Sequence, residues 1–119
     1  MKKILVVDDD YGILQVLEII LSTRGFHVYT HANGFNLPRI VDDYQPDLIL
    51  LDVRLPNGQL GTKLCKELKQ LYSIPIILFS AERQVSFKDF DADDFIEKPF
   101  DMTQLLDVVN SNLNSSVRA

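Results

Sequence analysis

With a single cysteine, Cys65, the chain has no partner for an internal disulfide and no thiolate cluster for a metal, so the residue is expected to pack as a small apolar side chain. Long hydrophobic runs are missing too. Stretches such as Ile76 to Phe79 have the length of a strand and fall far short of the ~20 residues that cross a bilayer. Lys2 and Lys3 precede a short apolar run, but Asp8, Asp9 and Asp10 interrupt it before it reaches signal-peptide length. A cytoplasmic protein without membrane contact is the expectation left. Basic excess is absent as well: 17 acidic residues outweigh 12 basic ones for a formal charge of −5, with no basic stripe to neutralise nucleic-acid phosphates. Direct nucleic-acid binding is not expected. Glycine and proline number only five each, and 46% of residues are hydrophobic, which excludes a disordered chain.

What is present is a chain of 119 residues, enough for one domain that buries roughly two-thirds of its unfolded surface. Ile4-Leu5-Val6-Val7, Leu48-Ile49-Leu50-Leu51 and Ile76-Ile77-Leu78-Phe79 are unalternated apolar runs, the pattern of strands covered on both faces of a parallel sheet. His27 to Thr30 and Phe95-Ile96 are shorter candidates. Between them, Gly12 to Thr23 places Ile13, Leu14, Val16, Leu17, Ile20 and Leu21 at helical spacing before the stop Gly25, and Leu60 to Leu71 repeats the pattern. Asn36 is expected to cap a short helix from Leu37, and Asp101, with Gln104 three residues on, a last helix reaching about Asn112. A helix between Glu82 and Phe90 is poorly specified, and the tail over 113–119 is expected to fray or to lead into a linker. Five strands alternating with helices predict an α/β fold: a parallel sheet, right-handed crossovers, and helices on both faces.

In such a sheet, ligands gather outside the carboxyl ends of the strands. There the chain carries Asp8-Asp9-Asp10 after strand one, Asp52 at the end of strand three, Ser80 at the end of strand four and Lys98-Pro99 after strand five. Crowded carboxylates repel one another unless a cation neutralises them, and an all-oxygen ligand set suits a hard ion. Mg²⁺ fits best because it shares its octahedral shell with water and substrate phosphate, with Mn²⁺ the other candidate. A carboxylate nucleophile with a metal, an ammonium and a hydroxyl around it is the equipment of phosphoryl transfer. Asp10 has a second reading as a helix cap. His27 and His31 flank an expected edge strand and are read as surface residues. The acidic run Asp89, Asp91, Asp93 and Asp94 lacks the Gly and closing Glu of a Ca²⁺ loop and is read as a solvated turn.

Taken together, Ile4 to Asp10, Asp47 to Pro56, Ile76 to Ala81 and Asp93 to Phe100 resemble the signature segments of the receiver domains of bacterial two-component response regulators, across nearly the whole chain. The resemblance implies a flavodoxin-like, CheY-like sheet of order 2-1-3-4-5 in a single receiver domain over 1–119. It makes Asp52 the phosphoacceptor and signalling, without turnover, the role. Asp9, Asp52 and the Arg54 carbonyl would hold the metal directly, Asp8 chiefly through water. Ser80 and Lys98 would contact the phosphoryl group, and Ser80 with Phe95 would form the switch. Arg54 and Glu82 stand where the family tunes the lifetime of the phosphorylated state. The implied partners are a sensor histidine kinase or a histidine phosphotransfer protein, and an output domain or a second copy meeting the face of helix four, strand five and helix five.

Departures from the family pattern are visible. Only 18 positions separate Ser80 from Lys98, which predicts a short or irregular fourth helix. No Lys or Arg occurs over 99–117, and Phe95 stands where Tyr is commoner. The loop Asn57-Gly58-Gln59-Leu60-Gly61 looks one residue longer than usual. Three other functions compete. A haloacid-dehalogenase-type phosphatase also uses Asp, Mg²⁺ and Lys, but normally has a second Asp where this chain has Arg54. A flavodoxin-like electron carrier would set a phosphate loop where three Asp repel it. A pseudo-receiver that is never phosphorylated sits poorly with the intact set Asp9, Asp52, Ser80 and Lys98.

Overall fold

The computed structural model describes residues 1–81 and 87–117. Five strands, β1 (Lys3–Val7), β2 (His27–His31), β3 (Leu48–Asp52), β4 (Ile76–Ser80) and β5 (Asp94–Glu97), form one parallel sheet of order β2-β1-β3-β4-β5. The expected order is observed. Alternate residues of the central strands feed two separate cores, as the twofold side-chain period requires. Ile4, Val6, Leu48, Leu50, Ile77 and Phe79 point to one face, where Leu14, Leu17 and Leu21 of α1 (Tyr11–Thr23) and Leu105, Val109 and Leu113 of α4 (Met102–Val117) cover them. Leu5, Val7, Ile49, Leu51, Ile76 and Leu78 point to the other, beneath Leu37 and Val41 of α2 (Leu37–Tyr44) and Cys65 and Leu68 of α3 (Gly61–Leu71). Burial on both sides explains why these strands read as unbroken apolar runs. The edge strand β2, by contrast, leaves His27 and Tyr29 exposed.

Helix ends follow local chemistry with one correction. The Asp10 carboxylate accepts from the Gly12 and Ile13 amides at 2.9 and 3.2 Å, and that of Asp101 from the Gln104 amide at 2.7 Å, so both cap helices. Asn36 does not: its backbone is left-handed (φ 58°), and its side chain makes no capping bond. A capping side chain reaches the first-turn amides from an extended backbone, which this residue lacks. Gly25 ends α1 with φ +89°, where glycine carries no Cβ penalty. α4 continues past Asn112 to Val117, with Leu113 buried in the core. The segment expected as a fourth helix begins in residues 82–86, outside the described residues, and its described remainder is a 3₁₀ turn, Phe87–Phe90. Among the described residues no helix is long and apolar enough to cross a membrane.

Candidate acidic phosphoryl site

Strand register assembles the site. Val7 pairs with Leu51, so the next residues, Asp8 and Asp52, emerge side by side from β1 and β3. Asp52 pairs in turn with Phe79 and Ser80 with Glu97, which brings Lys98 to the same sheet end, its amide donating to the Ser80 carbonyl at 2.8 Å. Asp8 is fully buried and Asp52 nearly so, while Asp9 is exposed. One oxygen from each of these three carboxylates lies within 4.8 Å of the others, a spacing a small oxygen-seeking cation can bridge.

The ammonium of Lys98 lies 3.1 Å from Asp8 Oδ2 and 3.4 Å from Asp52 Oδ1. It also sits 4.7 Å from the centre of the Phe79 ring, so an aromatic face shares in holding the cation. The Asp10 amide donates to Asp8 Oδ1 at 2.9 Å, so both oxygens of the buried Asp8 are engaged. Burial pushes the Asp52 carboxyl up to about 6, with the charge of Asp8 adding to the effect and Lys98 opposing it. One positive charge therefore faces two buried acids. A bound divalent cation would supply the missing neutralisation, and the all-oxygen donor set fits Mg²⁺.

Other expected residues fall as follows. Ser80 is buried at the end of β4, and Phe95 is half-buried on β5 against the α2–α3 core. Arg54 is exposed, and its backbone forms an isolated antiparallel bridge with Leu60. Glu82 lies outside the described residues. His27 Nδ1 lies 2.8 Å from the Tyr44 hydroxyl and His31 Nε2 3.2 Å from the Phe35 carbonyl, so both rings are engaged beside β2. Cys65 is buried, and burial lifts its thiol to about 12, which keeps it protonated and unreactive.

The solvated-turn reading of the late acidic run requires correction. Asp93 Oδ2 accepts from Lys69 Nζ at 2.9 Å and the Ile76 amide at 2.8 Å. Asp94 accepts from the Phe95 amide at 2.8 Å and Asn112 Nδ2 at 3.0 Å, tying β5 to α4. Asp89, Asp91 and Asp93 are exposed as expected, Asp93 while engaged in these bonds, and Asp94 is half-buried. Two features went unseen in the sequence. Gly61 packs so closely that a Cβ there would collide with the Asp52 carbonyl oxygen, and a groove of about 600 Å³ lined by Ile13, Val16, Ala81, Lys98, Pro99 and Phe100 opens beside the acids. Val16, placed with the apolar face of α1 by its spacing, lines that groove and is about half exposed.

The response regulator receiver domain family matches residues 4–110. The nisin biosynthesis regulatory protein NisR of Lactococcus lactis subsp. lactis is 40% identical over 121 residues, covering 98% of this chain and 52% of that protein. The chain thus spans about half the length of this curated relative. Among solved structures, the CheY-like receiver domain protein of Methanospirillum hungatei JF-1 superposes with a TM-score of 0.91 at 27% identity, covering 99% of this chain and 98% of that one. The BeF3-activated N-terminal receiver domain of RstA from Klebsiella pneumoniae gives 0.88 at 27% identity, over 94% and 98%.

Proposed function

The chain belongs to the response regulator receiver domain family, and from that premise we propose that it accepts a phosphoryl group on the carboxylate of Asp52 in a Mg²⁺-dependent reaction and passes a signal on. The observation that carries this reading is the Lys98 ammonium set between the buried carboxylates of Asp8 and Asp52. In the reaction, an Asp52 oxygen attacks the phosphorus, the bond to the donor breaks, and the donor leaves with the electron pair. Lys98 faces charge that develops on the transferring oxygens, and the Ser80 hydroxyl takes another of them. Asp8, Asp9, Asp52 and the Arg54 carbonyl would hold the Mg²⁺, with Mn²⁺ a substitute. Bound there, the ion supplies charge neutralisation for the transferring group. Asp52 acts as a nucleophile only when ionised; burial pushes its carboxyl up to about 6 in the metal-free site, and a bound cation would favour the ionised form.

The donor in this reading is a sensor histidine kinase or a histidine phosphotransfer protein, whose phosphorylated imidazole must reach Asp52. The apolar groove of Ile13, Val16, Pro99 and Phe100 beside Lys98 suits a docking helix of such a donor. Residues 1–119 act as one receiver unit. Ser80 and Phe95 carry the change outward to the face of the Phe87–Phe90 turn, β5 and α4, which an output domain or a second copy would read. The protein is a phosphoacceptor that assists its own modification, without turnover. Incubation with acetyl phosphate and Mg²⁺, followed by intact-mass measurement, should add one phosphoryl group, and chelation should prevent it. Labelling that persists in chelator would overturn the proposal.

A further inference from the structure

The loop from Val53 to Leu60, which carries the Arg54 peptide, is a tight hairpin held from within. Arg54 bridges to Leu60, the Leu55 amide donates to the Gln59 carbonyl at 3.1 Å, and the Gly61 amide donates to the Val53 carbonyl at 2.6 Å. Gln59 adds a tie to a different loop: its Oε1 accepts from the Gly34 amide, between β2 and α2, at 2.9 Å. Gly34 is buried, and the backbone there comes so close that a Cβ would lie 2.6 Å from Gln59 Oε1 and 2.5 Å from Leu64 Cδ1. Glycine thus lets the amide approach the Gln59 side chain.

The geometry points to Gln59 as a positioning residue for the phosphoryl site, a latch that joins the β2–α2 loop to the β3–α3 loop and so holds the Arg54 peptide where the metal needs it. This rests on the phosphoacceptor reading above. Gln59 is not a ligand. It acts through the loop: the tie fixes Gln59, whose carbonyl accepts from the Leu55 amide, the N–H of the same peptide unit that carries the Arg54 carbonyl, and groups that orient metal ligands affect affinity without touching the ion. The mutual fit of a buried glycine and an amide acceptor distinguishes this contact from a loose surface bond.

The test is a Mg²⁺ titration of the unphosphorylated protein followed by backbone amide shifts, with hydrogen exchange at Gly34 read in parallel. Gln59→Leu keeps the bulk and loses the acceptor, so the Gly34 amide should exchange faster and Mg²⁺ should bind about threefold or more weakly. Gly34→Ala crowds the same contact from the opposite side and should reproduce both changes. Gln59→Glu retains an acceptor oxygen and should restore slow exchange at Gly34. Thermal unfolding of each variant confirms that it is folded. If the parent binds Mg²⁺ and Gln59→Leu binds it equally well, the latch is overturned and the phosphoacceptor reading stands, even if the variant is less stable. A parent that binds no Mg²⁺ overturns that reading and the latch with it.

Discussion

Replacing Asp52 by Asn is expected to stabilise the metal-free protein at neutral pH, because the native site holds two acids against one ammonium. The Asp52 carboxyl titrates near 6 in the folded chain and at its ordinary 3.8 when unfolded. The folded state therefore binds the proton more tightly, and stability falls as pH rises from 3.8 to about 6, remaining low above that. A shift of that size corresponds to at most about 3 kcal/mol, at 1.36 kcal/mol for each pH unit. Asn removes the charge but also deprives Lys98 of one partner, leaving it Asp8, so the expected net gain is about 1 to 2 kcal/mol. For a domain of this size that is roughly 4 to 8 °C in Tm. Thermal unfolding of both proteins in chelator at pH 7.5 and pH 4.5 measures it, and the advantage of the variant should shrink at the lower pH, where the parent is protonated. Added Mg²⁺ should then raise the Tm of the parent more than that of the variant. A less stable variant at pH 7.5, or a gap that does not change with pH, would refute the electrostatic argument.

Gly61→Ala should cost about 2 to 3 kcal/mol, because the new Cβ meets the fixed backbone of β3, and denaturant unfolding would register the loss. Replacing both Arg54 and Glu82 by Ala is expected to speed loss of the Asp52 phosphoryl group about twofold or more if their side chains hinder hydrolytic water, each single change giving part of the effect. Equal decay rates with Mg²⁺ present would rule out that gate. Amide exchange with and without a phosphoryl mimic should differ most between Ala81 and Phe95, and no difference there would exclude signalling through Ser80 and Phe95.

Much of this architecture is legible because burial on both faces writes itself into strands as unbroken apolar runs, and because the sheet's carboxyl edge is where polar residues must be explained. Asp8, Asp52 and Lys98 were thus readable as a group, and the register of Val7 with Leu51 brings the first two together. Local rules failed where the partner is distant. Asp93 and Asp94 read as solvated, but Lys69, Ile76 and Asn112, 17 to 24 residues away, engage them. Asn36 has a capping side chain in the right place, yet its left-handed backbone points that side chain elsewhere. Val16 fits the apolar period of α1, but that helix has more apolar residues than its buried face accommodates; Ile13 and Val16 line the groove beside Lys98, while Ile19 is exposed. The Gln59 bond to Gly34 spans 25 residues and leaves no local mark in the sequence.

The most direct test of the central claim is the location of the phosphoryl group. Protein treated with acetyl phosphate and Mg²⁺ would be reduced with borohydride, which converts an aspartyl phosphate to homoserine, then digested and mapped by peptide sequencing in a mass spectrometer. The expected result is a single conversion, at Asp52, and none in the Asp52→Asn variant. Conversion at Asp8 or Asp9, or equal labelling of the variant, would contradict the account.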